Sequence, residues 1–150
     1  MKAKIFLDTN VFMDILVDGR ASSSSSKRIL EAIRRGAFEA VLSTQSILDA
    51  AYALRHSNGK EEFLRFTDWA LGHINIEKTD AFNIRTAMQY NTGDFEDDAL
   101  FSLAQLTLCD YFITSDKKLR EVHGQRDPNI KVLSPEEFAQ AMMQNSVTPS

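Results

Sequence analysis

The sequence predicts an α/β fold, a three-layer α/β/α sandwich with a mostly parallel central sheet. Two observations support this fold class. Short apolar runs of strand length alternate with longer segments whose apolar residues recur at helical spacing. Helix-capping residues or glycines separate most of these segments. A chain of 150 residues has the length of one domain, and we expect it to span residues 1–144, with a disordered tail at 145–150.

Five segments have the pattern of strands. The first is apolar and runs directly into Asp8-Thr9-Asn10, as a buried strand does where it enters a turn. The third alternates between polar and apolar residues, which indicates a half-buried strand. The predicted strands are residues 4–7, 38–42, 73–77, 111–114 and 130–133.

The segments between these strands are expected to be helical. Serines at 22–26 are expected to cap the second helix, and Gly36 ends it. Ser134-Pro135-Glu136-Glu137 combines a capping box with proline at the first helical position. The predicted helices are residues 11–17, 27–35, 44–56, 61–71, 80–90, 95–108 and 117–122, and one that begins at 135.

Composition indicates a protein of the cytoplasm. No apolar run is long enough to span a bilayer, so we expect no membrane association. Asp8 interrupts the apolar N-terminal run, which therefore lacks the pattern of a signal peptide. The single cysteine, Cys109, excludes an internal disulfide and a cysteine zinc site, and its apolar neighbours predict a buried thiol.

The net charge of −4 weakly opposes a nucleic-acid partner, because proteins that bind nucleic acids are usually basic. The chain has 21 acidic and 17 basic residues. If four of the acids bind a metal ion, the remaining surface is neutral overall. A nucleic-acid substrate therefore stays compatible with the composition.

Acidic residues recur where the carboxyl ends of the strands are expected. Asp8 follows the first strand, Asp49 lies on the helix after the second, and Asp116 follows the fourth. A further group begins the helix before the fourth strand and consists of Asp94, Glu96, Asp97 and Asp98. Each acid alone is as well explained by a helix cap or a solvated helix start. Their shared position predicts a site, since open α/β sheets bind ligands at this edge.

Converging carboxylates repel one another unless a cation or protons neutralise them. Carboxylate oxygens and water suit Mg²⁺ or Mn²⁺, and the sequence has no cluster of cysteine or histidine that suggests zinc. Such a site suits phosphodiester hydrolysis, in which the ion activates water and no side-chain nucleophile is needed. The three histidines show no obvious partners in the sequence.

Four segments of the chain resemble the PIN domain family in order and spacing. These are residues 5–10 (Ile-Phe-Leu-Asp-Thr-Asn), 42–49 (from Leu-Ser-Thr to Asp49), 94–100 and 111–116 (Tyr-Phe-Ile-Thr-Ser-Asp). The resemblance covers about residues 3–143. It implies a PIN-like fold and a Mg²⁺- or Mn²⁺-dependent ribonuclease acting on RNA. Small bacterial and archaeal members are mostly VapC-like toxins, which implies a small antitoxin partner and a homodimer.

Carried over by position, the resemblance implies metal ligands at Asp8, Asp98 and Asp116, with Asn10 and Thr114 as supporting residues. Asp98 is preferred to Asp97 because the family's acid usually directly precedes an apolar Ala-Leu-like pair. Asp97 then takes a neighbouring acidic position, and Asp94 is an accessory residue. Asp49 stands where the family usually has glutamate, so its side chain is one methylene shorter, and it binds the ion directly or through water.

Two other functions are compatible with the sequence. A haloacid-dehalogenase-like phosphatase also has an aspartate after its first strand, and Gly93-Asp94 to Asp98 matches its Gly-Asp-x-x-x-Asp motif. It requires an aspartate general acid where this chain has Asn10, which cannot donate that proton. Alternatively, Asp49 marks a catalytically weakened PIN-like module that binds RNA or protein through basic residues such as Arg55, Lys60, Lys117, Lys118 and Arg120.

Overall fold

The fold is described from a computed structural model, which describes residues 1–144 and Val147. The tail expected at 145–150 therefore lies outside the described residues, apart from Val147. The strands are β1 (Lys4–Leu7), β2 (Glu39–Ser43), β3 (Asn75–Glu77), β4 (Tyr111–Ile113) and β5 (Lys131–Leu133). The helices are α1 (Thr9–Leu16), α2 (Ser23–Arg34), α3 (Thr44–Ala53), α4 (Lys60–His73), α5 (Ala81–Tyr90), α6 (Phe95–Leu106), α7 (Lys117–His123) and α8 (Pro135–Met143).

The five strands form one sheet in the order β3-β2-β1-β4-β5, and every neighbouring pair is parallel. This confirms the predicted α/β sandwich. Parallel strands bring all their carboxyl ends to one edge. The chain moves outward from β1 in one direction to β2 and in the other to β4, so the gap between β1 and β4 is the switch point where α/β proteins bind ligands.

Successive residues of β1 point to opposite faces of the sheet, which builds a core on each side. Ile5 and Leu7 pack with residues from α1, α2, α3, α4 and α8 on one face. Phe6 packs with residues of α6 and α7 on the other, where its ring stacks on that of Phe112 with centroids 5.0 Å apart. α5 packs outside α6. The three layers follow directly from this alternation.

Cys109 belongs to the second core and is buried, as its apolar neighbours predicted. Burial raises the pKa of its thiol to about 11. The thiol is therefore protonated near neutral pH.

Two helix starts differ from the sequence expectation, the first because of a local cap and the second because of hydrogen bonds made by the serine side chains. α1 begins at Thr9, immediately after Asp8, which caps it. α2 begins at Ser23, so most of the serine run is helical and does not merely precede the helix. Ser23 Oγ donates to the carbonyl of Val17, and Ser26 Oγ donates to the buried carboxylate of Asp14.

Within the described part of the chain, every helix is too short or too polar to cross a membrane.

Candidate active site

Asp8 lies at the carboxyl end of β1, beside the switch point. Its backbone N–H donates to the carbonyl of Ile113 at the end of β4, 3.0 Å away, which continues the sheet pairing. Its backbone is extended, so the side chain caps α1 and accepts from the backbone N–H of Thr9 at 2.8 Å. Only 4% of the residue is exposed. The carboxylate is thus held at a fixed point on the sheet edge.

Asn10, in the first turn of α1, and Thr114, directly after β4, orient this carboxylate. Asp8 Oδ2 accepts from Thr114 Oγ1 at 2.7 Å and from Asn10 Nδ2 at 3.0 Å. Asn10 Nδ2 also lies 3.2 Å from Thr114 Oγ1, and Asn10 Oδ1 accepts from the backbone N–H of Ser115 at 3.0 Å. Both side chains are therefore hydrogen-bonded to the carboxylate that they are predicted to support.

Asp116 is attached to the same network. Its backbone N–H donates to Thr114 Oγ1 at 3.1 Å, and its side chain caps α7 by accepting from the backbone N–H of Leu119 at 3.2 Å. Asp116 is half-buried, and its negative charge adds to the larger effect of burial in raising the pKa of Asp8.

The start of α6 contributes further acids. Asp94 caps the helix by accepting from the backbone N–H of Asp97 at 3.0 Å. Asp97 is half-buried. Burial, and then the charges of Asp8, Asp94 and Asp116, raise the pKa of its carboxyl. Of the α6 acids, Asp97 is the one whose pKa responds to the charges of both Asp8 and Asp116.

Three of these carboxyls have raised pKa values. Burial, with the nearby charge of Asp116, raises the pKa of Asp8 to about 6 although its hydrogen-bond donors oppose the change. Burial, followed by the charges of Asp8 and Asp94, raises the pKa of Asp97 to about 8. A hydrogen bond with Asp49, followed by partial burial, raises the pKa of Glu96 to about 7. Each shift shows that negative charge here is insufficiently compensated by the protein.

Asp49 joins the site from α3 only at its margin. It is half-buried, accepts from Gln45 Nε2 at 2.9 Å, and is hydrogen-bonded to Glu96. Glu96 is a residue whose role the sequence did not reveal. Forty-seven positions separate the pair, and no local pattern links α3 to the first turn of α6.

Asp98, which the resemblance favoured over Asp97 as a metal ligand, is bound by donors of the protein itself. Its carboxylate is 1% exposed and points into the second core. It accepts from the backbone N–H of Thr92 at 3.0 Å, from Thr92 Oγ1 at 2.5 Å and from His123 Nε2 at 2.9 Å. The Asp98 carboxylate is therefore already bound by three hydrogen-bond donors of the protein.

His123 also has a partner that the sequence did not indicate. Its side chain is buried and lies between Asp98 and Arg126, whose Nε donates to His123 Nδ1 at 2.9 Å. A guanidinium only donates, so Nδ1 accepts and Nε2 carries the hydrogen given to Asp98. His123 is thus neutral, in agreement with a pKa that burial lowers.

The acids around Asp8 fit a hard divalent cation by their chemistry. The group, which we call the acidic cluster, offers only carboxylate oxygens, the donors that Mg²⁺ and Mn²⁺ prefer. Its members are Asp8, Asp49, Asp94, Glu96, Asp97 and Asp116. Three of these carboxyls have raised pKa values, and a bound cation would lower them because it stabilises the ionised form. Among the described residues, no group of three or more acids, histidines or cysteines is placed so that it could hold a metal ion without rearrangement.

Comparison with protein families identifies one match. A family model described as PIN domain matches residues 4–118, about three quarters of the chain. A comparison with curated proteins finds no match.

Solved structures with the same fold include several toxins. The sarcin-ricin-loop-cleaving toxin VapC20 of Mycobacterium tuberculosis superposes with a TM-score of 0.65 at 14% identity, over 78% of this chain and 93% of that one. VapBC2 of Rickettsia felis, solved with a DNA fragment from its promoter, gives 0.61 at 18% identity over 87% and 98%. A toxin–antitoxin complex from Klebsiella pneumoniae gives 0.59 at 20% identity over 84% and 94%. Identities this low establish the shared fold alone.

Proposed function

Because this chain belongs to the PIN domain family, we propose that it is a metal-dependent endoribonuclease that hydrolyses phosphodiester bonds of RNA. The observation that supports this most directly is the convergence of Asp8, Asp97 and Asp116 at the switch point of the sheet. Asp8 and Asp116 share Thr114 Oγ1 as a hydrogen-bond partner. Burial raises the pKa of both Asp8 and Asp97, and the charge of Asp116 adds to the rise in each.

The residues divide into direct ligands and supports. Asp8, Asp97 and Asp116 would hold Mg²⁺ or Mn²⁺, and Asp94 and the Asp49–Glu96 pair lie at the margin, within reach through water. Asp97 takes the role that the family resemblance gave to Asp98, because the Asp98 carboxylate is saturated by other donors. Asn10 and Thr114 fix the orientation of Asp8.

When bound, the ion supplies Lewis acidity, which acidifies the attacking water and offsets the charge that grows on the phosphate. The protein's own contribution is positional. Asp8 is locked by three donors, so its carboxylate needs no reorganisation when substrate arrives.

The central test is RNA cleavage with Mg²⁺ or Mn²⁺ by the wild type and by Asp8→Asn. We expect Asp8→Asn to reduce cleavage at least about 100-fold, since it removes a charge that the ion needs. EDTA should abolish cleavage. Asp68→Asn, an exposed change on α4 far from the cluster in sequence, is the matched control and should retain activity. Cleavage that survives both EDTA and Asp8→Asn contradicts the metal mechanism.

Calorimetry with Mn²⁺ separates an active site from a weakened binding module. Binding that Asp8→Asn abolishes supports the nuclease, whereas the absence of binding supports a module that has lost catalysis. The phosphatase alternative requires Asp8 to attack as a nucleophile. The three donors that hold its carboxylate, and asparagine at position 10, oppose that role.

We further propose that the protein acts as the toxin of a toxin–antitoxin pair, held inactive by a small protein, and that it forms a homodimer. The fold shared with VapC20 and with the toxin–antitoxin complexes supports this role. Induced expression of the wild type should arrest growth and that of Asp8→Asn should not. Harmless expression of a soluble, active wild type argues against the toxin role. Sedimentation of the purified protein tests the homodimer.

A further inference from the structure

We propose that Thr92, Asp98 and His123 form a buried clamp that positions the acidic cluster by tying the start of α6 to the end of α7. The inference rests on the proposed function, because it assigns these residues to the positioning of the same metal site. None of the three is expected to touch the ion or the RNA.

The first step is the saturation of Asp98. Both carboxylate oxygens are used: Oδ2 accepts from the backbone N–H of Thr92, and Oδ1 accepts from Thr92 Oγ1 and His123 Nε2. Hydrogen bonds to a buried ionised carboxylate are strong and directional. The loop before α6 is therefore fixed to its first turn, and both are fixed to α7.

The second step is the orientation of His123. Arg126 donates to Nδ1, which leaves Nε2 as the hydrogen-bearing nitrogen aimed at Asp98. The imidazole also stacks on the ring of Phe101, with centroids 4.5 Å apart and planes inclined by 16°. Arg126 itself lies over the ring of Tyr90 at 4.2 Å. The imidazole of His123 is thus held in one tautomer and one ring orientation.

The third step is the connection to the cluster. α7 has Asp116 as its N-cap and His123 as its last residue. On α6, Asp97 directly precedes Asp98. The Asp98–His123 bond consequently joins the two short helices that carry Asp97 and Asp116, and it fixes the spacing between those carboxylates.

Thr92 offers the cleanest test, because it is half-buried on a loop and valine preserves its shape. Thr92→Val removes the hydroxyl that donates to Asp98. We expect its Mn²⁺ dissociation constant, measured by calorimetry, to rise about tenfold, the usual size of effect for residues that orient metal ligands. In RNA cleavage, kcat should fall while KM changes little. Thr92→Ser retains the hydroxyl and should restore both values.

Ser102→Ala is the matched control for a general loss of stability. Ser102 also lies on α6 and is buried, but its hydroxyl accepts from Asn83 Nδ2 of α5 at 2.9 Å and donates to the carbonyl of Ala99, not to a clamp residue. We expect it to destabilise the protein without weakening Mn²⁺ binding. An equal loss of Mn²⁺ affinity in Ser102→Ala and Thr92→Val, or unchanged affinity in Thr92→Val, overturns the proposal.

Amide hydrogen exchange of the metal-free protein gives a readout that does not depend on catalysis. The backbone N–H groups of Asp97 and Leu119 donate to Asp94 and Asp116, and so report the two helix starts that carry the cluster. Thr92→Val should lose protection at both, and Ser102→Ala should not lose it at Leu119. If the wild type fails to bind Mn²⁺, the proposed function fails, while the exchange result still decides whether the clamp exists. Unchanged protection at both amides in Thr92→Val contradicts it.

Discussion

Asp97 and Asp98 show how much depends on a single residue step. Consecutive residues of a helix point about 100° apart, so one of these neighbours faces the acidic cluster and the other faces the core. Asp97 is half-buried among other acids, and its pKa is raised to about 8. Asp98 is buried with three hydrogen-bond donors. The protein therefore provides few partners for the negative charge of the aspartate at position 97 and three hydrogen-bond donors for the aspartate at position 98.

This contrast predicts opposite effects for two identical substitutions. Asp97→Asn should abolish tight Mn²⁺ binding and leave the metal-free protein at least as stable as the wild type, because it removes repulsion. Asp98→Asn should lower the free energy of unfolding by about 1–3 kcal/mol, because its amide hydrogens meet existing donors. Urea denaturation in EDTA and calorimetry with Mn²⁺ measure the two properties. If Asp98→Asn is stable and Asp97→Asn is not, the assignment of the two residues is reversed.

At the scale of the elements, the end of α6 contains a strained residue. Leu108 has φ of +58° and is 80% exposed. It closes the helix: its N–H donates to the carbonyl of Gln105, and the N–H of Cys109 donates to that of Ala104. Glycine usually occupies such a position because it has no Cβ to clash in the left-handed region. Leucine is therefore retained there at a cost in stability.

Replacing this leucine is expected to stabilise the protein. Leu108→Gly should raise the free energy of unfolding by about 0.5–1 kcal/mol, the relief of the left-handed strain less the entropy that glycine loses on folding. Leu106→Gly is the matched control, since Leu106 is also exposed but lies within the helix. It should lower the same free energy by up to about 1 kcal/mol. Urea denaturation checks both, and destabilisation by Leu108→Gly refutes the assigned strain.

The sequence was sufficient to locate the strands along the chain. It was not sufficient to show which side of each helix faces the sheet. Apolar runs located the five strands. The acid after β1 predicts a site at the carboxyl edge of the sheet, because strand ends in a parallel sheet share an edge. The choice between Asp97 and Asp98 depends on how α6 is rotated against the sheet, which side-chain packing around Phe101 and Leu103 determines. The Asp98–His123 and Asp49–Glu96 pairs join residues far apart in the chain, and no local pattern encodes them.

For the whole molecule, the important feature is the separation of charge. Six of the 21 acidic residues lie in the acidic cluster, which leaves fifteen against seventeen basic residues over the rest of the chain. The remainder is thus slightly positive although the net charge is −4. An RNA backbone is repelled by the cluster alone and is accepted more readily once divalent cations neutralise it.

This charge layout predicts how pH changes the stability of the metal-free protein. The pKa values of Asp97, Glu96 and Asp8 are raised to about 8, 7 and 6 from ordinary values of 3.8, 4.5 and 3.8. The folded state therefore binds these protons more tightly than the unfolded chain, so the free energy of unfolding should rise as pH falls from about 8.5 to 6.5. Below that window the lowered pKa of His123 acts in the opposite direction, because the unfolded chain then binds a proton that the folded state does not.

Thermal denaturation in EDTA across this window measures the effect. The midpoint should increase toward pH 6.5 in the wild type and increase less in Asp97→Asn, which lacks the group with the highest of the three pKa values. Saturating Mn²⁺ should reverse the trend, since the ion competes with protons for the same oxygens and its stabilisation is greatest at high pH. A midpoint in EDTA that is constant or falls toward pH 6.5 would mean that the carboxylates do not repel one another in the folded protein. The physical basis for the metal site would then be lost.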